Sequence, residues 1–534
     1  MIDKVVIIGW DGATWDYMDP LLEQGTLPNL ARLLEYGVGL ILRSTVPPYT
    51  NVAWPALVTG STPARTGIFD GLRFRPGCYT GLPARRGRSI PIWEWVNHFG
   101  KRAGVLNVPT TYPATQLDGY LVTGFDSPRD ALDTEYPRGL TAQWAQAGQV
   151  YQVLNEETRL MDSQNPHHQR GALEDFTLRW ETLTRQQGTH LAWLWQNEPV
   201  DLLFSVFSGT DSINHRTRDF ARIARVYRAA DDALGNLLEV VNDKTLICLV
   251  SDHGSTPARR YISLNRILHE QGWLHFQKMI TARSFQRLPG FLGKVLGKGW
   301  ARLPLAMRRL LSAPLLQLDP RFAIAYENID WSRTKIFGRS SMGPLYINLQ
   351  GRFPEGCVTS GEYDSLLSQA SNILSNLRDP EGNLLFRKIH SGAKLHPGSL
   401  EDDIVPDLIL EPFDRRDHLI TGFPTDPIVR FIPDESEYGT HTPDGVFILA
   451  GPGVQCKAYP NHSSVANIQD VVPTLLAAWG LQIPETANGE VLPSLFSHHL
   501  EITYAPAKPI RPAPAQDTES DEVLERLRAL GYLE

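Results

Sequence analysis

Three aspartates and three histidines stand at the ends of short apolar runs in this 534-residue chain, and their side chains are of the types that hold divalent metal. Asp11 follows the run 5–9 in Gly9-Trp10-Asp11-Gly12, and Asp252-His253-Gly254 follow the run 245–250. Asp211 and His215 lie just past the run 202–207 in Thr210-Asp211-Ser212-Ile213-Asn214-His215. His441 sits in Gly439-Thr440-His441-Thr442, just ahead of the run 446–450. Carboxylate oxygen and neutral imidazole are donors that zinc and manganese accept, and a catalytic metal needs about three protein ligands with one position open. Six such groups supply two sites of that kind. Taken singly, each has a plainer reading, because an aspartate after a strand often caps the next helix and a lone histidine is more often structural. The recurrence at run ends favours convergence, since ligands gather where the strands of an open α/β sheet end.

A nucleophile is the remaining requirement. Pro47-Pro48-Tyr49-Thr50-Asn51 offers the hydroxyl of Thr50 in a turn ahead of a helix-like segment of small and apolar residues. A threonine hydroxyl keeps its proton at neutral pH, so it needs a base or a metal beside it before it can attack. The competing reading is an ordinary helix N-cap.

The elements that must position these groups read as an α/β class. Runs at 5–8, 103–108, 202–207 and 245–250 are short and rich in β-branched residues, and they alternate with helical patterns at 30–34 and 220–240. That alternation predicts a mostly parallel central sheet with helices on both faces. Along the chain we expect residues 1–127 to carry the first part of the α/β core with the nucleophile loop, and 128–199 a mostly helical insertion. Residues 200–275 return to the core with metal ligands, 276–335 form a basic amphipathic insertion or lid, 336–500 complete the core, and 501–534 are a linker and terminal helix. In 276–318, Lys278, Arg283, Arg287, Lys294, Lys298, Arg302, Arg308 and Arg309 alternate with apolar residues and no acid intervenes. Such a segment either packs its apolar stripe on the core or draws anionic substrates and acidic lipid headgroups, a peripheral membrane contact.

Bulk properties narrow the function classes. A formal net charge of -8 argues against stable nucleic-acid binding, which calls for a basic surface. Cys78, Cys248, Cys357 and Cys456 are scattered, without the close spacing of a thiolate zinc site or a disulfide framework. The chain enters an apolar run at Val5 without the charged-then-apolar-then-small pattern of a signal peptide, so the expected location is the cytoplasm. No stretch reaches the roughly 20 apolar residues of a membrane-spanning helix.

In its ordered motifs the chain resembles the alkaline phosphatase superfamily, and within it the type I phosphodiesterase/nucleotide pyrophosphatase family. The resemblance is carried by Asp11, by Thr50 and the following Leu57-Val58-Thr59-Gly60-Ser61-Thr62-Pro63-Ala64-Arg65-Thr66-Gly67-Ile68, and by Thr210-Asp211 with His215. Ser251-Asp252-His253-Gly254, Gly439-Thr440-His441 and Asp470-Val471-Val472-Pro473-Thr474 continue it. It implies an alkaline-phosphatase-like three-layer α/β/α sandwich with helical insertions. It also implies two divalent ions, zinc or alternatively manganese, one on Asp211, His215 and His441 and the other on Asp11, Thr50, Asp252 and His253. The reaction so implied is hydrolysis of a small-molecule phosphate ester through a phosphothreonine at Thr50.

Two departures separate the chain from nucleotide pyrophosphatases. Where these carry an asparagine after the nucleophile loop this chain has Gly71, and where a histidine commonly precedes Gly-Ile it has Thr66. Residues 44–64 contain no lysine or arginine to meet the extra charge of a terminal phosphate, which favours a diester over a monoester. Sulfatases share the fold but need a cysteine or serine in a context absent around Thr50 and Cys78, and cofactor-independent phosphoglycerate mutases use serine and an inserted transferase domain. Phosphonate hydrolysis and phosphomonoester hydrolysis on the same site remain alternatives, as does a non-catalytic protein that binds anions or membranes on an inherited phosphatase fold.

Overall fold

Strands buried on both faces read as near-continuous apolar runs, and the four runs read from the sequence fit that pattern, broken only by Asn107, Ser205 and Thr245. In the computed structural model, which describes residues 2–74, 77–79, 82–83, 87–127, 132–151, 170–276, 307, 329–400, 403–422, 426–433, 439–456 and 464–507, nine strands form one sheet. They are β1 (Lys4–Trp10), β2 (Gly37–Arg43), β3 (Ala103–Val108), β4 (Gly119–Thr123), β5 (Glu135–Tyr136), β6 (Leu202–Phe207), β7 (Thr245–Val250), and, after two further strands given below, Asp444–Ala450 and Val465–Asn467. A short ribbon stands apart from the sheet, β8 (Gly254–Pro257) paired antiparallel with β9 (Gly439–Thr442). With Asp444–Ala450 as β10 and Val465–Asn467 as β11, the order across the sheet is β11-β2-β10-β7-β1-β6-β3-β4-β5.

β1 pairs in parallel with both β6 and β7, and β3 with β6 and β4, so the centre of the sheet is parallel. β10 runs against β7 and β2, and β5 against β4. The two-residue period of a strand sends alternate side chains to opposite layers. In β1, Val6, Ile8 and Trp10 enter one core while Val5 and Ile7 enter the other. The first core is covered by helices Trp15–Glu23, Pro28–Glu35, Arg170–Asn197 and Phe220–Leu238, the second by Thr50–Thr59 and Val471–Ala478. The protein is thus a three-layer α/β/α sandwich.

Residues 128–199 supply the edge strand β5 and helix Arg170–Asn197, whose Trp180, Leu183 and Leu194 pack in the first core. Within 336–500 a four-stranded sheet, in the order Ile336–Phe337, Pro344–Ile347, Leu408–Pro412, Phe386–Ser391, packs with helix Ser360–Ser375 around a third core of its own. The basic segment 276–318 lies outside the described residues except for Phe276 and Met307, and so does the tail beyond residue 507. No described helix is long and apolar enough to cross a membrane.

A buried arginine joins the paired strands Arg260–Ser263 and Asp417–Ile420 to the segment at Asp379. Arg260 donates from Nε and Nη2 to the two oxygens of Asp417 at 2.6 and 3.0 Å and from Nη1 to Asp379 Oδ2 at 2.6 Å. This guanidinium balances two carboxylates that are both buried. Replacing Arg260 with methionine leaves those charges uncompensated and is expected to cost about 3–5 kcal/mol of stability. Urea denaturation followed by circular dichroism checks it, and an unchanged midpoint would show that the clamp is dispensable.

Candidate functional site

The polar groups that follow β1, β6 and β7 meet at one edge of the sheet, because parallel strands place their carboxyl ends on the same side. Asp11 comes directly after β1 and its N–H donates to Phe207 O at 3.0 Å. Its neighbour Gly12 holds φ at +63°, and a Cβ there would lie 2.7 Å from Asp211 Oδ1, so the turn calls for glycine. The Gly12 N–H then donates to Asp252 Oδ1 at 3.2 Å. Beyond β6 the short helix Gly209–Asn214 carries Asp211, and His215 follows one turn later with its Nε2 3.4 Å from Asp211 Oδ2.

His441 reaches the site by another route. It precedes β10, which is antiparallel to β7, so the amino end of β10 lies beside the carboxyl end of β7. The β8–β9 ribbon pairs Ser255 with His441 and brings the His253 and His441 rings into a stack at 3.7 Å and 17°. Ser251 Oγ donates to Ala13 O at 2.8 Å and accepts from Val446 N at 2.8 Å, which fixes the three loops to one another.

Thr50 is the first residue of helix Thr50–Thr59, and Tyr49, not Thr50, is its N-cap. The hydroxyl of Thr50 is therefore spared from capping. It lies 3.0 Å from His253 Nε2, fully buried. His253 Nδ1 donates to Gly254 O at 3.1 Å and His441 Nδ1 to Pro48 O at 3.0 Å, a pattern that leaves the Nε2 lone pairs of both rings facing the site.

All seven residues singled out in the sequence converge. Ligand atoms of Asp11, Asp252 and His253 lie within 4.8 Å of one another, and so do those of Asp211, His253 and His441. His215 joins the second group through a 3.0 Å approach of its Nε2 to that of His441. His253 thus stands between the two groups by distance, where the resemblance places it in one.

Electrostatics point to a cation. Burial, then repulsion from Asp252 and Asp211, raises the Asp11 carboxyl well above its usual range. Burial and the Asp211 charge raise Asp252 as well. Burial also opposes ionisation of Asp211, but the imidazoles of His215, His441 and His253 outweigh it and hold that carboxyl low. Burial and the neighbouring His253 keep the His441 ring neutral. Asp11 Oδ1 and Asp252 Oδ2 are buried and accept no hydrogen bond among the described residues. Buried oxygens without donors, beside imidazole nitrogens, fit divalent metal.

Some contributors escaped the sequence reading. Trp54 Nε1 donates to Asp11 Oδ2 at 3.1 Å, and its place one helical turn after Thr50 was the available signal. His418 bonds Thr440 Oγ1 at 2.9 Å from a strand with no local motif to mark it. Asp470, part of the ordered resemblance, is structural, accepting from Asn467 N and Glu490 N at 2.8 Å.

Residues 5–415 match the profile of the family described as type I phosphodiesterase / nucleotide pyrophosphatase. No curated protein matches the chain in sequence. Among solved structures, a phosphonoacetate hydrolase from Sinorhizobium meliloti 1021 in complex with phosphonoacetate aligns with a TM-score of 0.53 at 14% identity, over 88% of this chain and 94% of that one. Human ectonucleotide pyrophosphatase / phosphodiesterase 5 aligns with a TM-score of 0.51 at 14% identity, over 93% of this chain and 100% of that one. An inactive murine form of the latter in complex with AMP aligns at 0.50 and 13% identity, over 93% and 100%. At these identities the likeness is one of fold.

The loop that follows helix Thr50–Thr59 shows what fills the place of a side chain at Gly71. A Cβ at Gly71 would lie 2.4 Å from the Tyr49 ring, so that ring fills the space of a side chain at this position. Asp70 turns away into a buried network, accepting from Ser340 Oγ at 2.5 Å, Gly71 N at 2.6 Å and Tyr346 OH at 3.2 Å. Burial raises its carboxyl to about 6 from 3.8, against the pull of those bonds. Between these two values the folded chain keeps a proton that the unfolded chain has released, so stability falls as pH rises through that window. Asp70→Asn removes the titration, and the variant's urea midpoint is expected to decline less than wild type's between pH 4 and pH 6.5. Identical slopes would refute it.

Proposed function

The chain belongs to the type I phosphodiesterase/nucleotide pyrophosphatase family of the alkaline phosphatase superfamily, a family of hydrolases, and on that premise we propose that it cleaves a small-molecule phosphodiester with Thr50 as nucleophile. The observation that carries this reading is the Thr50 hydroxyl, 3.0 Å from His253 Nε2 at the start of a buried helix and surrounded by the metal-binding side chains. Asp211, His215 and His441 would hold one divalent ion, and Asp11, Asp252 and His253 with Thr50 the other. Zinc suits this nitrogen and oxygen donor set, with manganese as the alternative. When bound, the two ions supply Lewis acidity that lowers the pKa of the Thr50 hydroxyl and offsets charge on the phosphoryl oxygens.

The residues themselves do the positioning. Trp54 holds Asp11, Pro48 O and Gly254 O set the His441 and His253 rings, and the amide end of helix Thr50–Thr59 faces the phosphoryl group with its partial positive charge. Thr50 Oγ displaces the ester alkoxide to give phosphothreonine, and water then cleaves that ester and restores the hydroxyl. Preference for a diester rests on the absence of lysine and arginine from residues 44–64. Cleavage of a carbon–phosphorus bond on the same site is the second reading, suggested by the phosphonoacetate hydrolase likeness.

Thr50→Ala is expected to lower turnover of a chromogenic diester by at least about a thousandfold while metal content stays near wild type. Full activity in the variant would remove Thr50 from the mechanism, and phosphate release from phosphonoacetate instead of diester turnover would favour the second reading. Chelation is expected to abolish activity and lower the melting temperature, both recovering on return of zinc or manganese, because a ligand bound only by the folded state stabilises it. A melting temperature insensitive to chelator would argue against a resident metal.

A further inference from the structure

Beside the site lies a cavity of about 160 Å³ whose lining includes His441, together with Pro47 and Pro48, which lead into Thr50. His441 belongs to both places, since its Nε2 approaches His215 and its Nδ1 bonds Pro48 O. A volume of this size takes a single aromatic ring or a short chain. Much of the wall is apolar, with Met342 from the bend before Pro344–Ile347, Leu410 from strand Leu408–Pro412 and Leu419 from strand Asp417–Ile420. Ligand pockets commonly combine such a wall with a few placed polar groups.

Here the polar groups are arginines. Arg43, Arg387 and Arg415 line the cavity, each with a single carboxylate partner among the described residues, Asp444 at 2.9 Å, Glu411 at 3.1 Å and Asp16 at 2.8 Å. Their side chains are 44%, 54% and 49% exposed, so each guanidinium keeps donors for a further acceptor. The two acids in the lining are already engaged. Asp417 is held by both arms of Arg260, and Glu411 accepts from His390 Nε2 at 3.1 Å as well as pairing with Arg387. The cavity therefore presents guanidinium N–H donors above an apolar floor.

We propose that this cavity receives the leaving group of the ester, a ring-sized apolar body that carries a carboxylate or similar anion bound by Arg387 and Arg415. The inference rests on the phosphodiesterase reading and narrows its substrate class. The bidentate fork of arginine suits a planar anionic group of this kind.

Two measurements test it on the metal-loaded protein, with wild type and the Arg387→Gln/Arg415→Gln double variant. The first compares kcat/KM for two aryl methyl phosphodiesters with the same ring, one with a ring carboxylate and one without. The ratio of charged to neutral ester is expected to fall about tenfold or more in the variant, through KM. The second measures binding of 4-hydroxybenzoate against phenol by calorimetry, which needs no turnover and repeats the comparison if the variant is catalytically impaired. Binding of the carboxylate that weakens by a similar factor in the variant supports the assignment. Turnover of both esters with the same ratio in both proteins, and no preference for 4-hydroxybenzoate, would overturn the cavity assignment alone. Absence of turnover of either ester by the metal-loaded wild type would overturn the phosphodiesterase reading, and the leaving-group assignment with it.

Discussion

Three carboxylates buried side by side repel one another, and the rest of the protein is organised to hold them there. Asp11, Asp211 and Asp252 are at most 1% exposed and come from three different strand ends. Left without counter-charge, such a cluster lowers its repulsion by keeping protons, which is what the raised carboxyls of Asp11 and Asp252 express. The histidines supply part of the balance at Asp211. Burial that would be wasteful in a purely structural core becomes useful around a cation, because low dielectric strengthens every attraction to it.

Rigid elements convert this strain into a defined geometry. The three aspartates sit within two residues of parallel strands or on the first turn of a helix, so little chain freedom separates them from the sheet. Tyr49 has two tasks in this arrangement. It caps helix Thr50–Thr59 with its backbone, and its ring occupies the room beside Gly71, so the surroundings of Thr50 differ from the pattern of nucleotide pyrophosphatases at that position.

Much of this was legible in the residues. Runs at Ala103–Val108, Leu202–Phe207 and Thr245–Val250 became strands with those bounds, because strands covered on both faces are nearly continuously apolar. β2 was harder to see, since Gly37 and Gly39 interrupt its apolar character and it follows a helix with only one residue between them. The polar groups after β1, β6 and β7 obey the rule for parallel strands. His441 satisfies it for a different reason, the reversed direction of β10, and strand direction has no local signature. His418 acts through a contact with Thr440 in another strand, which spacing in one sequence does not record. The outer sheets are short-stranded and have few uninterrupted runs, so their separate core emerged only in three dimensions.

The place of β10 in the sheet also sets an order of assembly. It is hydrogen-bonded between β2 and β7, although it follows β2 by some four hundred residues of chain. Until Ala450 has been synthesised, β2 and β7 have an unfilled gap between them, and their exposed edges are open to pairing with other chains. Thr50 and the first aspartates are made early, yet His441 arrives with this last central strand. A nascent chain of this protein thus carries six of the seven side chains that converge at the site from residue 253 onward, before the strand at 444–450 that completes their setting exists, and its vulnerability to misassembly is concentrated in that interval.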